Sequence, residues 1–159
     1  MSTESTHACV ADAVKDTSRL IVAFASQEGD IVDQHFGSSQ AFHVWSISAE
    51  SAEPVAQRSF GHEKQDGNED KLKPKMLWLV GADVVYCGSI GGSATRQLVA
   101  LGINPIQVKG GPDVDELIEA LQAQLNSDSP EFWLANIVKR KRSGGERRFE
   151  MMANDSWDE

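Results

Sequence analysis

The sequence predicts an α/β fold on one mixed sheet: three antiparallel strands, then alternating elements in the order β-α-β-α after a first helix, and a helix appended at the C-terminus. Three observations predict it. Apolar runs of strand length crowd the first sixty residues, the hydrophobic period then lengthens to a helical one, and each later apolar run is separated from the next by a capped helical stretch, the pattern of parallel crossovers. The chain has 159 residues, 40% of them apolar, enough for one ordinary core.

Residues 1–18 are Ser/Thr/Asp-rich without periodicity and read as a disordered tail, so the fold is expected to begin near Arg19. Leu20 to Ala25, Phe42 to Ser48 and Val55 to Phe60 read as strands, the last two joined by the short link expected of antiparallel neighbours. A helix follows whose first turn falls at about Asp70 to Pro74, because a proline deeper inside would remove a hydrogen bond, and it ends before Gly81. Asp83 to Cys87 is a short strand. Gly88-Ser89-Ile90-Gly91-Gly92 is a glycine loop, and Ser93 is placed to cap a helix through Leu101, with Gly102 just past its end. Pro105 to Val108 is the last strand. After the Gly110-Gly111-Pro112 turn, Asp113 and Glu116 start a helix with Val114, Leu117, Ile118, Leu121 and Leu125 on one face. The appended helix begins at Ser129-Pro130 and runs through "EFWLANIVKRKR" to Ser143-Gly144-Gly145. This order resembles the ribonuclease-H-like topology. Residues 19–126 then form the binding domain and 127–159 a C-terminal helix and tail.

Composition excludes several function classes. No run approaches the length of a membrane span and the N-terminus lacks signal-peptide features, so a cytoplasmic protein that does not engage membranes is expected. Lys139 to Arg148 holds a local charge of +5 against a net of −9, so the remaining body is strongly acidic and broad contact with nucleic-acid phosphates is disfavoured. The basic run reads as a dockable tail. Two cysteines, Cys9 and Cys87, give no disulfide framework, and a standard iron–sulfur protein, which takes about four cysteine ligands, is excluded. A ribonuclease-H-type nuclease needs converging carboxylates, and the first strand, "LIVAFA", has none.

Chemistry concentrates in two loops that the predicted topology brings to one sheet edge, where open α/β sheets bind ligands. Asp33-Gln34-His35-Phe36-Gly37 leaves the first strand; His35 either offers an imidazole to a ligand or hydrogen-bonds the loop to itself, and Gly37 permits an unusual backbone turn. Cys87 offers a soft thiolate or is a small buried hydrophobe. Gly88, Ser89, Gly91, Gly92 and Ser93 can turn backbone N–H groups toward an anion, with Arg96 adding charge or merely solvated. His43 alternates within a strand, and His62 is a reserve ligand on a loop. A preassembled metal–sulfur cluster needs only one or two protein ligands, so His35 and Cys87 suffice for a carrier that releases it again. The alternative is a phosphometabolite or nucleotide bound at Gly88 to Ser93.

"VAFAS…G…VDQHFGSS..F.VW.I", "QDGNEDKL" and "VVYCG…GG.A.RQL.ALGI.P..V" resemble the dinitrogenase iron–molybdenum cofactor biosynthesis family, most closely its NifX-type members and their vanadium-nitrogenase counterpart. The resemblance runs from about Ile21 to Ala123 and into the C-terminus. It implies a non-enzymatic ribonuclease-H-like domain that binds an iron–sulfur–carbide cofactor precursor, of the 8Fe-9S-C type, or a later nitrogenase cofactor intermediate. The implied partners are a cluster-donating radical enzyme and the nitrogenase cofactor scaffold or assembly complex, with no nucleic acid. The family's cluster-binding histidine falls on His35, and Cys87 matches the NifX-type relatives.

Overall fold

The computed structural model describes residues 9–16, 18–60 and 72–142. A five-stranded sheet has the order β3-β2-β1-β4-β5, with β1 Leu20–Ala25, β2 Ala41–Ile47, β3 Ala52–Ser59, β4 Val84–Cys87 and β5 Asn104–Gln107. β1, β2 and β3 pair antiparallel, whereas β4 lies parallel to β1 and β5 parallel to β4. The prolines obey the ladder's demand for donors: Pro54 sits on edge strand β3 beside the register shift at Val44/Trp45, and Pro105 on edge strand β5.

Every residue of β1 and of β4 is buried, because both faces of the sheet are covered. On one face Ile21, Ala23, Ala25, Val44, Val85 and Cys87 pack with helices α1 Val10–Ala13, α2 Leu72–Trp78 and α3 Gly92–Ala100. On the other, Leu20, Val22, Phe24, Val84 and Tyr86 pack with α4 Val114–Leu125 and α5 Phe132–Arg142. The expected α4 face is present, with Val114, Ile118 and Leu121 buried and Leu117 and Leu125 partly so.

Three expectations about the ends of the chain change. The fold begins before Arg19: Val10 is fully buried in the first core cluster and Ala11 N–H donates to the Val80 carbonyl (2.8 Å). A four-residue helix carries no readable period, which is why the sequence concealed it. The appended helix starts at Phe132, two residues later than the Ser-Pro signal suggests, and Leu134 and Ile137 place it in the common core. The helix carries Lys139 to Arg142 as expected, but within it Lys141 closes on Asp83 at 2.9 Å, at the start of β4, rather than projecting as a dockable tail. Asp83 also accepts from Ile21 N–H (2.9 Å); burial raises its carboxyl pKa, against the Lys141 charge that lowers it. Residues 1–8, His62 and the basic residues beyond Arg142 lie outside the described part of the chain.

The seat of α1 can be tested at Gly81, whose φ of 108° is left-handed and where an added Cβ would lie 2.5 Å from the Ala11 nitrogen. Gly81→Ala should destabilise the protein by roughly 1–3 kcal/mol in urea unfolding. In a chain shortened by residues 1–16 the same substitution should cost less, since only the dihedral strain remains. Equal costs in the two backgrounds would show that α1 is not seated there.

Candidate functional site

Beyond the carboxyl ends of the parallel pair β1/β4, the two suspected loops meet and are stitched by backbone. Gln34 N–H donates to Ala25 O (3.3 Å), Gly88 N–H to Gln34 O (2.9 Å) and Phe36 N–H to Ser89 O (2.8 Å), and His35 pairs with Ser89 as an isolated parallel bridge. Residues 34–36 thus take over from β1 as the neighbour of the chain leaving β4. The connection from β1 to β2 is long, yet it is tied at other points too: Ile31 bridges to Asp113, Val32 N–H donates to Pro112 O (3.0 Å), and Gln40 N–H to the Gln34 side chain (3.0 Å).

Phe36 anchors this segment from below. It is fully buried and begins an aromatic chain through Phe42 (centroids 5.5 Å), Phe60 (6.0 Å) and Trp78 (6.2 Å). Its neighbour His35 is half-buried, and its Nδ1 is hydrogen-bonded to Ser89 Oγ. In the tautomer that donates Nδ1–H to the hydroxyl, Nε2 carries the lone pair a soft metal takes, the arrangement in which a second partner orients a histidine ligand. Ser89, expected to touch a ligand itself, is placed to orient His35. Gly37 is not among the glycines of positive φ; its carbonyl is what the fold uses, accepting 2.9 Å from Lys75 Nζ. The left-handed glycine in this connection is Gly29, packed against the ring of His43.

Cys87 departs from its expected role. Alternation along β4 sends Val85 and Cys87 into the first core cluster, where Cys87 is fully buried with Sγ 3.9 Å from Ile106 O. Burial pushes its thiol up to about 11, so it is protonated at neutral pH and enclosed in the core in this arrangement. Among the described residues no group of three or more His, Cys, Asp or Glu is placed to hold a metal ion. The glycine loop also differs in detail: α3 starts at Gly92 with Gly91 as N-cap, and Ser93, inside the first turn, accepts from Gln97 Nε2 (3.2 Å) rather than capping. Gly91 and Gly92 are exposed, and Arg96 folds back so that a Cβ on Gly92 would meet its Nη1 at 3.4 Å. Clefts of about 550 and 900 Å³ lie along α5, and His35 lines neither.

Residues 18–124 match the family described as dinitrogenase iron-molybdenum cofactor. The chain belongs to that family. It is 45% identical over 159 residues, the full length of both chains, to protein NifX of Azotobacter vinelandii, and 35% identical over 120 residues to NifX of Herbaspirillum seropedicae, covering 75% of this chain and 82% of that one. It is also 29% identical over 118 residues to the FeMo cofactor biosynthesis protein NifB of Klebsiella pneumoniae, covering 69% of this chain and 25% of that protein. The matched segment contains the His35 loop, β4 and α3.

Sequence reasoning missed Lys75. It is fully buried in α2, on the face that also buries Met76 and Leu79, and its ammonium lies 5.7 Å from the Phe60 ring centroid. The readable signal was a lysine at an apolar-face position, one turn before Leu79.

Proposed function

We propose that this member of the dinitrogenase iron–molybdenum cofactor family is a non-enzymatic, cytoplasmic carrier that takes up an iron–sulfur–carbide precursor or later intermediate of a nitrogenase cofactor, on the iron–molybdenum or iron–vanadium route, and passes it on. The observation that carries the reading is His35, fixed at the meeting of two loops with Nδ1 engaged by Ser89. His35 is the proposed ligand, with the backbone of Gly88 to Gly92 and the Arg96 guanidinium facing the anionic sulfides of the cargo. The unit is read as ribonuclease-H-like, residues 19–126 with α1 and α5 packed onto them. The cargo's donor would be a radical enzyme and its recipient a scaffold or assembly complex; full-length likeness to a NifX and partial likeness to a protein named for FeMo cofactor biosynthesis support a place in cofactor biosynthesis. No helix among the described residues is long and apolar enough to cross a membrane.

His35→Ala tests the proposal. It removes one hydrogen bond to Ser89, so folding stability should fall by only about 1 kcal/mol. Affinity for isolated iron–molybdenum cofactor, followed anaerobically by iron content and visible absorption, should fall at least tenfold. Undiminished uptake by a folded variant would move the site elsewhere. The α3 N-terminus with Arg96 beside Gly92 favours a second reading, an anion site for a phosphometabolite or nucleotide. A colourless protein that binds a nucleotide and ignores the cofactor would establish that reading.

A further inference from the structure

We infer that Lys75 is a positioning residue for His35: its buried ammonium, by holding the Gly37 carbonyl, keeps the His-Phe-Gly loop in the conformation that presents the imidazole. This rests on the reading of His35 as the cargo's ligand. A lysine stem is long enough to carry its charge to solvent, and burying the ammonium is costly, so a fully buried Lys75 calls for groups that hold it in place. One is Gly37 O, at 2.9 Å, two residues after His35 and one after Phe36; another is the face of Phe60, which belongs to the same aromatic chain as Phe36.

The tethers around His35 show what Lys75 adds. Before the histidine, Gln34 is bonded to both Ala25 and Gly88, and at the histidine Ser89 binds ring and backbone. On the far side the chain turns at once, with Ser39 N–H reaching back to Phe36 O at 3.4 Å. Lys75 grips this turn from outside the loop, from a helix on the neighbouring crossover. A charge-assisted bond of this kind, away from water, is stronger than a neutral one. Loss of Lys75 should therefore loosen the loop on its Gly37 side and leave the sheet untouched.

Lys75→Met keeps the stem and removes the cation. The Gly37 carbonyl then loses its charged donor, so the thermal midpoint should fall by a few degrees while the variant still folds. Affinity for isolated iron–molybdenum cofactor should also drop about tenfold, and amide exchange at Phe36 and Ser39, the residues flanking Gly37, should accelerate by a similar factor. Lys75→Arg, which retains donors, should recover part of both, and it also serves if the methionine variant folds poorly. In the double variant with His35→Ala, the lysine change should add nothing to the loss caused by the histidine change, because it acts through that ring. Additive losses, or wild-type affinity and exchange in folded Lys75→Met, would overturn the inference. If His35→Ala alone binds normally, the ligand reading fails by itself, and the exchange rates at Phe36 and Ser39 still decide whether Lys75 holds the loop.

Discussion

Phe36→Ala is expected to cost about 3–5 kcal/mol of folding stability, as for a large aromatic in a packed core, although residue 36 lies in a loop. Substitutions in surface loops usually stay within about 0.5 kcal/mol. Phe36 escapes that rule because its ring is fully buried against Phe42 and because its own backbone N–H bonds Ser89 across to the β4 side. Removing the ring leaves a cavity under His35, so cofactor uptake should fall with stability. Phe36→Leu, which keeps most of the volume, should cost less than about 1.5 kcal/mol and retain uptake. Urea unfolding of the two variants checks this. An alanine cost below about 1 kcal/mol would mean that the loop lies on the surface without an anchor.

The second large effect is alkaline. The Cys87 thiol ionises at an ordinary value of 9.0 once unfolded but only at about 11 in the core, so between those values the unfolded chain has lost a proton that the folded chain keeps. Stability is therefore retained below pH 9 and drains away as pH rises toward 11, by a few kcal/mol at most. Tyr86, pushed from 10.0 to about 12 by burial, adds a later loss of the same sign. Cys87→Ala should flatten the first part of the pH–stability curve and leave the Tyr86 part. Identical curves for the wild type and Cys87→Ala would show that the thiol ionises freely in the folded state.

The sheet was legible because its signals are of long range. Continuous apolar runs at Leu20–Ala25 and Val84–Cys87 could only be central strands, and two helical crossovers could only make their neighbours parallel. The meeting of the His35 loop with the chain after Cys87 followed from that order alone. What remained hidden depends on side-chain direction. A strand covered on both faces buries either parity, so neither choice would have brought the Cys87 thiol out to a ligand. Lys75 was overlooked because a lysine on a short helix reads as solvated until the loop it grips is in place. The shift of the α3 start to Gly92 arises because Gly91, with no side chain to offer, takes the cap position by backbone conformation alone.

If His35 holds the cargo as proposed, the burial of Cys87 leaves imidazole, a harder donor than thiolate, as the side chain that grips it. A recipient presenting an ionised thiolate would then draw that cargo away by ligand exchange. A variant that brought a thiolate out beside His35 would turn a courier into a store.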